Sequence, residues 1–446
     1  MSVDPKIFKA YDIRGIYPTE LDEAGAYKIG RAFATLLEPR QVIVGHDMRL
    51  SAPQLFQAVT DGLRDQGADV VNIGLVSTDQ YYFACSKLGG AGIMVTASHN
   101  PKAYNGFKMV REMPYLLSGD TGIQDLRRLV EQDRWSTPGR RGEMREEDLS
   151  AAFVDAILGL VDAPAIKPLK VIVDTGNGTV GPILSRVYAR LPVDLIGMYL
   201  EPDGSLPNHG LDPLQPENRA ELQRRVVEEG ADVGFAFDGD GDRFFTIDDR
   251  GEFIPGDFMT ALLAEYLLGK QPGQKIIYDV RASWAVADLV RAAGGTPLVE
   301  RVGHAFIKQR MADENVLFAG EVSGHYYFRD FNYADSGLIP SLLILEMLSR
   351  RGRHLSELLA DLEAKYFVSG EINSSVSDAA AKLRTLEEHY GDGQIEHIDG
   401  LSISYPDWHF NVRTSNTEPL MRLNLEARSP QLMDEKRDEV LAIIRS

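Results

Sequence analysis

Val233-Gly234-Phe235-Ala236-Phe237 runs directly into Asp238-Gly239-Asp240-Gly241-Asp242-Arg243, an apolar stretch that ends in three carboxylates separated by glycines. A short apolar run bounded by a turn reads as a buried strand, and chemistry placed at its carboxyl end is the habit of α/β sheets. Two earlier runs in the same region, Lys170-Val171-Ile172-Val173 and Val193-Asp194-Leu195-Ile196, are separated by helix-like segments. The pattern repeats on both sides. Upstream, Gln41–Val44 and Asp69–Ile73 precede Gly92-Ile93-Met94-Val95, which delivers Ser98; downstream, Lys275–Tyr278 and Pro297–Glu300 precede Val316-Leu317-Phe318-Ala319, which delivers Glu321.

Strands alternating with helices predict an α/β protein with three similar mixed-sheet α/β domains. The last eighty residues differ. Leu401–Tyr405, Trp408–Val412 and Leu420–Leu425 follow one another closely, with a final helix near 430–445, which reads as a smaller C-terminal α+β domain. Domains are therefore expected at 1–147, 148–250, 251–366 and 367–446, with three equivalent loops aimed at a central cleft.

The chain has 446 residues, 44% hydrophobic and 25% charged, enough for three or four domains at roughly 150 residues each. Cys85 is the only cysteine, so no intrachain disulfide or thiolate metal site can form, and a reducing cytoplasm fits best. No apolar signal region or membrane-length stretch occurs. A net charge of −19 repels nucleic acid and acidic membranes, leaving small molecules as expected partners. A phosphorylated substrate then needs local cations, and Arg14, Lys108, Arg243, Arg281 and Arg413 lie in or beside the candidate loops. The oligomeric state is not readable from the sequence.

In Thr96-Ala97-Ser98-His99-Asn100-Pro101 the hydroxyl of Ser98 is a candidate nucleophile; its plain alternative is a cap on a following helix. His99 joins the catalytic set as a polar neighbour, without general-base duty assigned by adjacency. Lys108 suits proton transfer or attraction of phosphate. Asp238, Asp240 and Asp242 can converge on a hard cation because the glycines let the backbone turn. An EF-hand is excluded by spacing, with Arg243 at position six and Asp249 at position twelve. Oxygen-only ligands beside a phosphate favour Mg²⁺ over zinc. Glu321, Ser323 and His325 offer hydrogen bonds to sugar hydroxyls. Arg413-Thr414-Ser415-Asn416-Thr417 concentrates a guanidinium, hydroxyls and an amide in a loop suited to phosphate. Gly176-Asn177-Gly178-Thr179-Val180-Gly181, with Glu201 downstream, matches a dinucleotide-binding pattern and raises a nucleotide-dependent oxidoreductase as the rival reading. That pattern lies inside its unit, away from the third strand, and tight strand-to-helix turning explains it more simply.

Taken in order, from Phe8-Lys9-Ala10-Tyr11-Asp12-Ile13-Arg14-Gly15 to Asn416-Thr417-Glu418-Pro419, these motifs resemble the α-D-phosphohexomutase superfamily, in particular its phosphomannomutase/phosphoglucomutase group. The resemblance implies a four-domain, heart-shaped enzyme interconverting hexose 1- and 6-phosphates through phosphoserine at Ser98 and a hexose 1,6-bisphosphate. It implies Mg²⁺ held by Asp238, Asp240, Asp242 and a phosphoryl oxygen on Ser98, with Arg14 and Arg243 in support and Lys108 as general acid/base. Glu321 and Ser323 would hold sugar hydroxyls, Arg281 and His304 would add substrate contacts, and Arg413, Ser415, Asn416 and Thr417 would grip the non-reacting phosphate. Thr414 stands where many relatives carry proline. The Glu321-Val322-Ser323 loop resembles the type that accepts both mannose and glucose; a phosphoglucosamine mutase is the alternative within the superfamily.

Overall fold

The computed structural model describes residues 3–136, 138–414 and 420–446. They divide into two compact units: one runs to Ile254 and adds Lys308–Asn315 and Ser323–Leu355, the other comprises Pro255–Ile307, Val316–Val322 and the chain from Ser356 onward.

In the first unit the strands Gln41–His46, Asp69–Leu75 and Ala91–Val95 run parallel, with Val44 opposite Ile93. Tyr104–Glu112 then returns antiparallel, setting Lys108 opposite Met94, and Ile13–Ile16 lies antiparallel beyond it with Arg14 opposite Gly106. This register brings Arg14, Lys108 and the end of Ala91–Val95 to one side of the sheet. The segment after Ser98 is thus a strand and not a helix, which removes the helix-cap alternative. Gly106 suits that strand because a Cβ there would meet Ile13 O at 2.0 Å. The helices Glu23–Leu37 and Ala52–Asp65 pack through opposed glycines: a Cβ on Gly30 would sit 2.2 Å from Val59 O, and one on Gly62 2.1 Å from Tyr27 O.

A second sheet in this unit pairs Lys170–Asp174 in parallel with Asp194–Met198 and Val233–Phe237, while Phe244–Ile247 runs antiparallel to Val233–Phe237 with Phe237 opposite Phe244. The three aspartates therefore occupy the turn of a hairpin whose two strands are fully buried. Tyr326–Phe328 and Ala334–Asp335 form another hairpin, with Tyr327 opposite Asp335.

In the second unit Thr296–Glu300, Lys275–Asp279 and Phe318–Gly320 run parallel. The last of these begins two residues later than the apolar run Val316–Ala319 suggests. Pro297 falls on the edge strand, where its missing N–H costs no ladder bond. The C-terminal sheet is antiparallel around Trp408–Thr414 and Leu420–Ala427, which place Phe410, Val412, Leu423 and Leu425 in one core. Pro430–Arg445 packs on it as the final helix, opened by Ser429 accepting from Leu432 N and by Pro430 in the first turn. Among the described residues, no helix is long and apolar enough to cross a membrane.

Candidate active site

Ser98 takes a left-handed backbone conformation, φ +49°, which costs a non-glycine residue about 1 kcal/mol or more and marks an imposed geometry. The loop is tied down locally: Thr96 N donates to Gly106 O at 3.0 Å, Ser98 N to Thr96 Oγ1 at 2.9 Å, and Asn100 N to Ala97 O at 3.0 Å. Ser98 Oγ then donates to Asp238 Oδ2 at 2.7 Å, with His99 Nδ1 3.2 Å away. Burial, reinforced by the cations of Arg243 and Arg14, pushes His99 well below the usual imidazole range, so its ring is neutral.

The hairpin turn holds three buried carboxylates with one oxygen of each within 4.8 Å of the others. Asp238 Oδ1 accepts from the backbone N–H groups of Gly241 and Arg243, both at 3.1 Å. Asp240 Oδ2 accepts from Thr78 Oγ1 at 2.8 Å, Thr96 Oγ1 at 3.0 Å and Lys108 Nζ at 2.8 Å. Lys108 Nζ also donates to Asp242 Oδ2. Burial and the charges of Asp242 and Asp240 drive Asp238 well above the usual carboxylate range. Asp242 is also buried, yet Lys108 and His325 hold it well below that range. Lys108 is buried too, and Asp240, Asp242 and Asp238 keep it protonated. The chemistry of the donor set and two orphaned oxygens, Asp240 Oδ1 and Asp242 Oδ1, buried without a hydrogen-bond partner, fit a hard divalent cation.

The other expected residues of the first unit gather here. Arg14 donates to Asp12 and to Asn100 Oδ1 beside the serine loop. Arg243 bridges to His325 through the backbone, and His325 stands with Nε2 3.6 Å from Asp242 Oδ1 and Nδ1 3.1 Å from Ser323 Oγ. Within the second unit, Asp279 holds Arg281 through a two-point contact, Nε to Oδ1 at 2.8 Å and Nη2 to Oδ2 at 2.9 Å, and also accepts from Val322 N. Glu321 lies 3.8 Å from Arg281, and Glu371 faces Arg281, Arg413 and Arg422 at 3.4, 3.1 and 3.1 Å. His304 opens the helix His304–Glu314. Ser415, Asn416 and Thr417 lie outside the described residues.

The glycine-rich turn Gly176–Gly181 serves the aspartate loop. Thr179 donates to Gly239 O from both its N–H, at 2.9 Å, and its hydroxyl, at 3.2 Å, and a Cβ on Gly178 would meet that same oxygen at 2.7 Å. Sequence reasoning gave no role to Thr78, whose hydroxyl and N–H both reach Asp240. The readable signal there was only Ser77 and Gln80, the capping box that starts its helix. It also missed Lys308 and Asp335, a fully buried pair 2.7 Å apart with the ammonium 3.7 Å above the Tyr82 ring.

A hydroxyl set against three carboxylates at the ends of α/β strands is an arrangement suited to metal-assisted phosphoryl transfer. Models for the four phosphoglucomutase/phosphomannomutase domains match this chain in order: domain I over residues 5–137, domain II over 151–251, domain III over 255–366 and the C-terminal domain over 371–443. The phosphomannomutase of Salmonella montevideo is 45% identical over 450 residues, covering 98% of this chain and 99% of its own. A solved phosphoglucomutase/phosphomannomutase family protein of Burkholderia thailandensis superposes with TM-score 0.90 at 38% identity, covering 98% of this chain and 96% of that one. An Aspergillus fumigatus N-acetylphosphoglucosamine mutase, solved with GlcNAc-6P and magnesium, shares the fold at TM-score 0.61 and 14% identity, covering 100% of this chain and 99% of that one. The chain belongs to the phosphoglucomutase/phosphomannomutase family. It is a phosphomutase, an isomerase of sugar metabolism, and the rival oxidoreductase reading falls with that.

Proposed function

We propose that this phosphomutase interconverts the 1- and 6-phosphates of mannose and of glucose, with Ser98 as the phosphoryl carrier. The observation that carries the reading is the 2.7 Å hydrogen bond from Ser98 Oγ to Asp238, inside a carboxylate set with two orphaned oxygens. Phosphorylated Ser98 gives its phosphoryl group to the free hydroxyl of a hexose phosphate: the Ser98 O–P bond breaks, the sugar O–P bond forms, and the hydroxyl proton leaves to a base. The hexose 1,6-bisphosphate reorients, and its other phosphoryl group returns to Ser98.

Asp238, Asp240, Asp242 and a phosphoryl oxygen on Ser98 are the proposed ligands of Mg²⁺, which would neutralise charge on the transferring group. Lys108 is the proposed proton carrier. With a divalent cation bound, these carboxylates would hold the Lys108 proton less tightly, as proton transfer requires. Arg14 and Arg243 would offset phosphoryl charge, and neutral His99 would steady the serine hydroxyl. Ser323 and His325 in the first unit, and Glu321, Arg281 and His304 in the second, are assigned sugar contacts. Arg413 with Ser415, Asn416 and Thr417 is assigned the non-reacting phosphate, where a forked guanidinium suits the geometry.

Coupled assays with mannose 1-phosphate, glucose 1-phosphate and glucosamine 1-phosphate, with released inorganic phosphate measured alongside, test the proposal. Comparable specificity constants for the two hexoses and a much poorer one for glucosamine are expected. A preference for glucosamine 1-phosphate overturns the sugar assignment, and phosphate release exceeding isomer formation points to a phosphatase.

A further inference from the structure

We infer that Arg49 is a positioning residue for the phosphoryl-carrying serine, acting through the main chain of the serine loop. The side chain is buried, 2% exposed, and its hydrogen bond to Ser98 is to the carbonyl oxygen. An arginine has five side-chain N–H donors, and here each has an acceptor. Nε donates to Asp47 Oδ2 at 3.1 Å. Nη2 donates to Ser98 O at 2.8 Å and Asn100 O at 2.7 Å, and Nη1 to Pro101 O and Tyr104 O, both at 2.9 Å. Four carbonyls between Ser98 and Tyr104 are thus fastened to one planar cation.

The anchor is equally fixed. Asp47, 1% exposed, accepts from Arg49 N through Oδ1 at 3.0 Å, and its own N–H donates to Val95 O at 2.9 Å. The clamp is therefore tied to the strand that delivers the serine. Ser98 has φ +49°, a conformation that a free serine rarely keeps. Releasing its carbonyl would let the residue relax to the ordinary region and swing Oγ away from Asp238. A lysine has three donors on one point and cannot span four carbonyls and a carboxylate. No local pattern signals this, because Arg49 precedes its main-chain acceptors by about fifty residues and reads as an ordinary loop arginine.

The inference rests on Ser98 being the phosphoryl carrier, so the experiment separates the two. Wild type, Ser98→Ala, Arg49→Lys and Asp47→Asn are incubated with ³²P-labelled glucose 1,6-bisphosphate and the rate of protein labelling is followed, beside kcat, KM and thermal melting. Wild type should label and Ser98→Ala should not. Arg49→Lys should label about 100-fold more slowly, the scale of a misplaced reacting group. Its KM for mannose 1-phosphate should stay within about twofold, since ground-state binding is untouched. Labelling of Arg49→Lys at the wild-type rate overturns the inference while leaving the phosphoserine intact. Absence of label in wild type overturns the phosphoserine reading and this inference with it. If Arg49→Lys does not fold, Asp47→Asn decides: it keeps the guanidinium but weakens its anchor, and an unchanged labelling rate in a folded Asp47→Asn overturns the inference, whereas slower labelling at unchanged KM supports it.

Discussion

Lys108 Nζ lies 2.8 Å from Asp240 Oδ2 and reaches Asp242 as well, so a protein ammonium occupies the ground that a divalent cation would contest. Two cations sharing one carboxylate set repel each other strongly at this range. Lys108→Met should therefore bind Mg²⁺ about tenfold more tightly or better while turnover falls, because the proposed proton carrier is gone. Isothermal titration with Mg²⁺ beside steady-state assays reads both. Metal affinity that is unchanged or weaker in the variant contradicts the shared-site picture.

Asp240→Asn keeps the shape of the side chain and its two threonine contacts while removing one ligand charge. Mg²⁺ affinity and turnover should both drop, turnover by about 100-fold or more, with melting near that of wild type because Lys108 keeps its partner in Asp242. Activity of this variant in the presence of a chelator at ordinary levels speaks against a metal at the triplet.

The strand runs, the aspartate turn and the serine loop were legible in the sequence because each is a local pattern: apolar runs, alternating glycines, a hydroxyl among small residues. Two things were not. For Ser98 a following helix stood as the plain alternative, yet that loop, like the one after Phe237, returns as an antiparallel strand, a choice set by pairing with Met94 and Phe237 and not by local propensity. The partners that fix the site, Thr78 to Asp240, Ser336 to Asp79 and Lys308 to Asp335, are remote in sequence, and one unaligned sequence carries no record of such pairings.

Asp79 offers a test through pH. Burial raises its carboxyl to about 6 despite hydrogen bonds from Ser77 and Ser336. A carboxyl that holds its proton more tightly when folded contributes stability that is full below its unfolded pKa near 3.8 and lost as pH rises through about 6. The shift of roughly two units corresponds to about 3 kcal/mol. Asp79→Asn, neutral at every pH, should melt near wild type below about pH 4, rise above it between about pH 4 and 6, and keep a nearly constant advantage from there to pH 8. Scanning calorimetry across that range measures it, and a difference between the two proteins that does not vary with pH contradicts the assignment.

A loss-of-charge cycle at Lys308 and Asp335 separates need from benefit. Removing one partner of a buried pair strands the other in a low-dielectric interior, at a cost of about 3–5 kcal/mol, and here the Tyr82 ring also loses its cation. Lys308→Met and Asp335→Leu should each be strongly destabilising, whereas the double variant should recover most of the loss, because apolar residues of similar volume need no compensation. Urea denaturation of the four proteins gives the coupling directly. Additive single losses would show that the two charges are each satisfied elsewhere, with the 2.7 Å contact between them contributing nothing.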